Sequence, residues 1–215
     1  VGKNALRNNT TGTRNTSIGT NSGDAITDGL ANVLVGNNAG GGGNFTSVVA
    51  VGDNALLVNT ANNNTAVGQE AMVANTSGSE NTAVGQGALS SNTTAIENTA
   101  VGRNALTLNT TGAKNTAVGA YSLDANTTGG NNSAFGREAL TKNTSGSQNT
   151  GYGLEALKEN TTASNNTAVG YQSLKLNTTA NNNTAVGYQA LLDNTTGTDN
   201  VAMGVLALEN NTTGA

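Results

Sequence analysis

Asparagine is the residue type whose spacing in this chain most clearly invites a chemical interpretation. A set of asparagines each begins an Asn-x-Ser/Thr sequon, the acceptor motif for N-linked glycosylation. An Asn- and Thr-rich chain also produces such triplets without modification, because both side chains stabilise turns by hydrogen bonding to nearby backbone groups. The sequence therefore leaves open a column of N-linked sugars and a column of unmodified turn asparagines. The nine candidate acceptors are Asn75, Asn92, Asn109, Asn126, Asn143, Asn160, Asn177, Asn194 and Asn211.

Other chemistry has little support in the residue types. The chain contains no His and no Cys, which removes the usual general base, the commonest metal ligand and any thiol nucleophile or disulfide. Asp24 and Asp28 suit a solvated bend beside Gly29 better than a calcium site. The run Gly40–Gly43 lacks the Lys and helix that follow a phosphate-binding loop. We therefore expect no catalytic, cofactor or metal site, and no enzymatic activity.

The composition limits the partners of the chain. Charged residues make up 10% of its 215 residues, aromatics 3%, and the net charge is −4. Nine scattered basic residues on an acidic chain argue against a nucleic-acid partner. No apolar run reaches the roughly 20 residues of a membrane span. The sequence begins and ends in mid-repeat, at Val1 and Ala215, which predicts a segment of a longer protein.

A glycine that follows an apolar residue marks a repeat along the whole chain. Successive marker glycines are separated by 17, 17, 16 and 16 residues and then eight times by 17. A fixed period of this length is typical of a structural rung that buries its apolar face only against its neighbours. We predict an all-β fold, a parallel β-solenoid (β-roll) of about thirteen rungs in a single array over residues 1–215, with irregular rungs at 18–58. The markers are Gly2, Gly19, Gly36, Gly52, Gly68, Gly85, Gly102, Gly119, Gly136, Gly153, Gly170, Gly187 and Gly204.

One unit, Asn183 to Gly197, serves as the reference for side-chain placement. Thr184 and Val186 are β-branched residues two apart, which a pleated strand places on one face. We expect both to point inward, so that Ala185 and Gly187 form an outer stripe available for packing. Leu191 is predicted to be a second inward anchor, in a second short strand or a bend.

Turn residues close each unit. Asn194-Thr195-Thr196-Gly197 has the composition of a turn and is predicted to be an exposed corner. The second and third units depart from this pattern, because a longer bend at Asp24–Gly29 replaces the turn and the glycine run at 40–43 replaces the Leu anchor. This block is either a kink in the array or a decorated rung.

The string Asn-Thr-Ala-Val-Gly, as at Asn183–Gly187, resembles the head repeats of trimeric autotransporter adhesins, which carry Asn-Ser-Val-Ala-Ile-Gly. It is closer still to the repeats of phage tail-fibre-like and bacterial surface proteins. The resemblance covers essentially the whole chain and is weakest at residues 20–50. The present repeat is longer than that of the adhesin heads, with 17 residues against about 14 to 15. It also has Thr where the adhesin heads have an inward apolar residue. The resemblance implies a left-handed roll, a homotrimer and an extracellular, cell-surface or virion-surface location.

These observations predict a structural extracellular fibre or adhesin shaft segment without a catalytic role. Its expected partners are copies of itself in a homo-oligomer, a trimer or filament, and cell-surface glycans or receptors. One alternative is an N-glycosylated environmental or surface fibril. A further alternative is an ice-binding β-solenoid, since Thr recurs once per rung. Val33, Val49 and Val201 share the column of these threonines, so we expect that column to be internal, which weighs against contact with ice.

Overall fold

The computed structural model describes residues 1–214, and its regular secondary structure consists of three-residue β-strands. The part of the chain that is described contains no helix. The strands are β1 Thr16–Ile18, β2 Val33–Val35, β3 Val49–Val51, β4 Thr65–Val67, β5 Thr82–Val84, β6 Thr99–Val101, β7 Thr116–Val118, β8 Ser133–Phe135, β9 Thr150–Tyr152, β10 Thr167–Val169, β11 Thr184–Val186 and β12 Val201–Met203.

The chain forms two compact units, 1–111 and 112–215. In the first unit, each of β1 to β5 pairs in parallel with the next strand along the chain. In the second unit, each of β7 to β11 does the same. Equivalent residues pair, as in Thr65 with Thr82 and Ala66 with Ala83. A parallel partner one repeat away makes each repeat one turn, which confirms the predicted all-β parallel solenoid.

Twelve strands are formed, whereas thirteen markers predicted about thirteen rungs. The difference lies at Val1-Gly2, because the two strand positions before that marker are not in the sequence. The other twelve markers each follow a strand directly.

The strands face the opposite way from the prediction. In β11, Ala185 has no exposed surface, whereas Thr184 and Val186 are only half-buried. The expectation that Thr184 and Val186 point inward and Ala185 outward is therefore wrong. The reason is the narrow interior. Gly151 stands at the Ala position of β9, and a methyl carbon added there would lie 3.5 Å from both Cγ and Cδ1 of Leu140. One methyl fills this space, and a branched side chain would collide.

The predicted inward anchor is confirmed at Leu191, which is fully buried. The anchor lies in a turn rather than in a second strand. Its backbone is left-handed, with φ of 53°, and the equivalent Leu89 and Leu140 have φ of 51° and 54°. This conformation costs a non-glycine residue about 1–2 kcal/mol, and burial of the Leu side chain, at about 1.5–3 kcal/mol, offsets it.

The marker glycines serve the contact between successive rungs. A Cβ at Gly187 would lie 2.2 Å from the carbonyl oxygen of Gly204, and one at Gly68 would lie 2.5 Å from that of Gly85. The φ angles, 141° and 138°, are also disfavoured for other residues. The predicted Ala/Gly stripe for packing against another chain is thus wrong at Gly187 as well, because this glycine column is closed by the chain's own next rung.

The irregular rungs keep the register of β1 to β3 and repack their interior. Gly23 and Gly40 replace the Leu anchor, and Leu34 replaces the small inward residue of β2. A Cβ at Gly23 would lie 2.5 Å from Leu34 Cδ1, and one at Gly40 would lie 2.7 Å from Leu34 Cδ2. Leu34 therefore fills the space that two anchors vacate, and Ile26 and Phe45 are buried beside it.

Candidate functional site

The sequon asparagines form a column inside the solenoid, here called the corner column. Eight of the nine, from Asn75 to Asn194, have no exposed surface, and Asn211 is half-buried. The predicted exposed corner is wrong for Asn194, because its side chain points inward. Only Thr196 of that corner is exposed, while Thr195 is half-buried.

The corner asparagines donate their amide hydrogens to groups within the protein. Asn143 Nδ2 donates to Asn126 Oδ1 and to the carbonyl of Gly146, each at 2.9 Å. Asn160 repeats the pattern, donating to Asn143 Oδ1 at 2.8 Å and to the carbonyl of Ala163 at 3.1 Å. One bond thus joins two rungs and the other closes the asparagine's own turn. The same pair of bonds is made by Asn75, Asn92, Asn177, Asn194 and Asn211.

A second column of buried asparagines, the strand column, was missed by sequence reasoning. It lies one residue before the strands, except at β3, which Val48 precedes. The backbone N–H of Asn149 donates to Asn132 Oδ1 at 3.0 Å, and Asn149 Nδ2 donates to the carbonyl of Ala163 at 2.8 Å. The carbonyl of Ala163 therefore accepts from Asn149 and from Asn160. The signal was an Asn four residues before most marker glycines. The buried members are Asn32, Asn64, Asn81, Asn98, Asn115, Asn132, Asn149, Asn166 and Asn183.

The irregular rungs show what happens when the corner column is interrupted. Ile26 and Gly43 take the places of the corner asparagine between Asn9 and Asn59. Within the described residues, Asn9 Oδ1 is buried and has no hydrogen-bond partner. This oxygen would accept from the next rung of the column, where Ile26 has no donor. The interruption shows that the column bonds run from each rung to the one before it.

The burial bears directly on glycosylation. An N-linked sugar would attach to the same Nδ2 that makes two hydrogen bonds inside the fold. Attachment would remove a donor and place a bulky polar group in an interior close to the corner backbone. Modification of these asparagines would therefore have to precede folding and would disrupt the column. Whether the sequons are used stays a prediction.

The outward strand face of the first unit consists of the first and third residues of β1 to β6. All twelve are β-branched, and none is charged. They are half-buried or exposed, whereas the middle residue of each of these strands is buried. The expected internal threonine column is thus external. The residues are Thr16, Ile18, Val33, Val35, Val49, Val51, Thr65, Val67, Thr82, Val84, Thr99 and Val101.

The corresponding face of the second unit carries aromatic residues. Phe135 and Tyr152 are third residues of adjacent strands, and their rings stack with centroids 5.5 Å apart. Tyr171 and Tyr188 follow the marker glycines of adjacent rungs and stack at 5.3 Å. Tyr152 is 58% exposed and Tyr188 49% exposed. These rings give the second face aromatic side chains, which the outward strand face of the first unit lacks.

Charged side chains of the second unit form a cluster on the turns. Lys158 Nζ lies 2.7 Å from Glu138 Oε2 and 2.9 Å from Glu155 Oε1, and Lys175 Nζ lies 2.9 Å from Glu155 Oε2. Hydrogen bonds from Lys175, Lys158 and Gln172 lower the pKa of Glu155 from its ordinary 4.5 to about 2. The two carboxylates raise the pKa of Lys158 in turn. These shifts describe a structural ion-pair network.

Residues 1–214 contain no group of three His, Cys, Asp or Glu side chains placed to hold a metal ion, and no pocket. Burial raises the pKa of Asp124, whose Oδ1 is buried without a hydrogen-bond partner among the described residues. In the same part of the chain, no helix has the length and apolar character needed to cross a membrane.

The geometry defines a class of protein, a parallel β-solenoid whose recurrent polar side chains bond to its own backbone and to one another. No family model, no curated protein and no solved structure matches the chain.

Proposed function

We propose that this chain is a structural segment of an extracellular fibre or adhesin shaft, located at a cell or virion surface and without a catalytic role. The observation that carries the proposal is the use made of the recurrent polar residues. Both asparagine columns bond to the equivalent residue one rung away and to a corner carbonyl, as at Asn149 and Asn160. When the polar side chains of a repeat bond to the neighbouring rungs, each added copy makes the array longer and is bonded to the copy before it.

Side-chain bonds of this kind suit a fibre because they reinforce every step of the stack. Each hydrogen bond contributes about 1 kcal/mol net, and leaving a buried partner unsatisfied costs about 1–3 kcal/mol. The corner threonines add to them: Thr144 Oγ1 donates to the carbonyl of Thr161, and Thr161 Oγ1 to that of Thr178, both at 3.1 Å. Separation of two rungs therefore breaks side-chain bonds as well as the parallel strand pairing.

The chain is proposed to assemble with copies of itself, as a trimer or filament, through the outward strand face of the second unit. That face is uncharged and carries Phe135 and Tyr152, with Tyr171 and Tyr188 at its border. Aromatic residues are enriched at protein interfaces and supply their strongest contacts. A second copy presents the same columns with the same spacing, so the two faces are matched in period. Cell-surface glycans or receptors are further proposed partners of the fibre.

Sedimentation equilibrium over a range of concentrations tests this assembly. The wild-type chain is expected at a multiple of its 21.3 kDa mass. The double variant Tyr171→Lys/Tyr188→Lys is expected to shift toward the single-chain mass, because two charges would be buried in the contact. Leu176→Lys is the matched control, since Leu176 is an exposed apolar residue outside the strands, five positions after Tyr171 in the same turn. A wild-type chain that stays at 21.3 kDa at all concentrations would contradict the proposal.

An N-glycosylated surface fibril is the second candidate, favoured by the in-register sequons. The intact mass of the protein from a glycosylating host decides it. The buried amides lead us to expect the bare 21.3 kDa. Added hexose-containing mass that peptide mapping places on the corner asparagines would establish that they are modified before the corner column forms.

A further inference from the structure

We propose that the outward strand face of the first unit binds the surface of ice crystals, a function beyond the fibre role. The face comprises the twelve β-branched residues of β1 to β6 described above. Sequence reasoning placed its threonines inside, which would have removed them from any contact with ice. The structure turns them outward, as at Thr82, while Ala83 takes the interior position.

The face is a regular two-dimensional array. Equivalent residues are in register from strand to strand, as Thr65, Thr82 and Thr99 are in one column and Val67, Val84 and Val101 in the other. Residues in a column are therefore about 4.8 Å apart, and the two columns are about 6.6 Å apart. β-branched side chains are stiff at χ1, so the methyl and hydroxyl groups keep these positions. A rigid array with a fixed period along two directions is suited to a ligand that is itself a lattice.

The chemistry of the face suits a neutral lattice in particular. Val and Ile supply methyl groups, and Thr supplies a methyl and a hydroxyl that can both donate and accept a hydrogen bond. No charged side chain lies in either column, although a solvated strand face normally carries some. Ice is likewise uncharged and consists of donors and acceptors at fixed spacing. The face and this ligand are therefore both uncharged and both periodic.

A second copy of the chain is the competing occupant, and the two units differ in a way that favours ice for the first. Protein interfaces are enriched in aromatic anchors. The second unit has Phe135 and Tyr152 in its outward column, whereas the twelve positions of the first unit contain no aromatic residue. Phe135 and Tyr152 also interrupt the run of β-branched residues in the second face, because an aromatic side chain takes the place of a branched one at these two positions.

Thermal hysteresis and ice-recrystallisation assays on the full chain test the proposal. The wild-type chain is expected to depress the growth temperature of ice below that of matched buffer and to shape the crystals. Thr82→Lys and Val84→Gln are each expected to reduce the hysteresis toward the buffer value, because they break one row of the array. Thr94→Lys is the control, since Thr94 is an exposed threonine in the corner of the same repeat. We expect it to keep the wild-type hysteresis.

Circular dichroism melts run in parallel show whether each variant is folded. Because two different face variants are made, the test still works if one of them does not fold. Wild-type hysteresis equal to that of buffer would overturn the proposal. So would an equal loss in Thr94→Lys. Sedimentation of the second-unit variant Tyr171→Lys/Tyr188→Lys distinguishes ice binding from self-association at the first-unit face. If that face binds a second copy, this variant stays oligomeric, and adding Thr82→Lys dissociates the oligomer. The ice proposal then fails. Failure of self-association at the second unit leaves the ice measurement unaffected.

Discussion

A single buried amide joins three parts of the solenoid. Asn160 Nδ2 bonds the previous rung at Asn143 and its own corner at Ala163, and its Oδ1 accepts from Asn177 at 3.1 Å. Asparagine suits this position because its side chain carries two donors and an acceptor at one planar end. No other uncharged side chain of the same length offers two donors and an acceptor at its end.

Replacement of Asn160 by Ala is expected to destabilise the second unit by about 2–5 kcal/mol. The variant leaves Asn143 Oδ1 without its donor, removes the acceptor for Asn177 and vacates the space that the side chain fills. Asn160→Asp should be at least as damaging near neutral pH, because a carboxylate would face the Asn143 and Ala163 oxygens. Urea unfolding followed by circular dichroism measures both.

Thr162→Ala is the matched control for this pair, because Thr162 is an exposed residue of the same corner. We expect its unfolding free energy to stay within about 0.5 kcal/mol of the wild type. Equal stability of Asn160→Ala and the wild type would show that the corner column does not hold the rungs together.

The limits of sequence reasoning are clearest at this scale. The period of two along the strand was predicted correctly, and the choice of inward face was wrong. Val is more apolar than Ala, so hydrophobicity favoured Val186 as the interior residue. The available space decides otherwise, and that space depends on Leu140-type anchors from the turns, whose distance from the strand no sequence pattern gives. The buried strand asparagines were missed because Asn is normally exposed.

At the scale of elements, the turns carry as much of the fold as the strands. Each strand has three residues, and the remaining residues of a repeat are turns and bends that place the Leu anchor and both asparagine columns. The recurrence of Asn, Thr and Gly made the turns predictable. The left-handed conformation at Leu191 was not, because Leu is not a residue that favours positive φ.

The turns of the second unit also carry the ion-pair cluster, which predicts a pH dependence. The pKa of Glu155 is lowered in the folded chain from 4.5 to about 2. A lowered carboxyl pKa stabilises the folded state above the unfolded value, and this contribution is lost as pH falls from about 4.5 to about 2. The side chains are partly exposed, so solvent screening limits each pair to less than about 1 kcal/mol.

The urea midpoint of the second unit is therefore expected to fall over that pH range, and Glu155→Gln should make the fall shallower. Glu80→Gln, in the first unit and outside the cluster, is expected to leave the pH profile as it is in the wild type. The contribution of the cluster to stability should also decrease as the salt concentration rises, because salt screens the ion pairs. A Glu155→Gln profile that follows the wild type from pH 7 to 2 would mean that the network contributes no pH-dependent stability.

At the scale of the whole molecule, the repeat period predicted the fold class and the parallel pairing. A step of 16 or 17 residues with one strand per step leaves few other solutions. The functional surface was not predictable to the same degree. It depends on which side of each three-residue strand faces out, and a shift of one residue exchanges every side chain between the two faces. The observed parity turns Thr82 and Val84 outward in the first unit and Tyr152 in the second, and both proposed binding faces follow from it.

A single-cysteine scan of β5 tests that parity most directly. The chain has no native Cys, so each variant carries one thiol on a clean background. Thr82→Cys, Ala83→Cys and Val84→Cys are reacted with a maleimide under native conditions, and each rate is divided by the rate for the same variant in denaturant. The account predicts rapid labelling at positions 82 and 84 and strong protection at position 83. Protection at 82 and 84 with rapid labelling at 83 would contradict it.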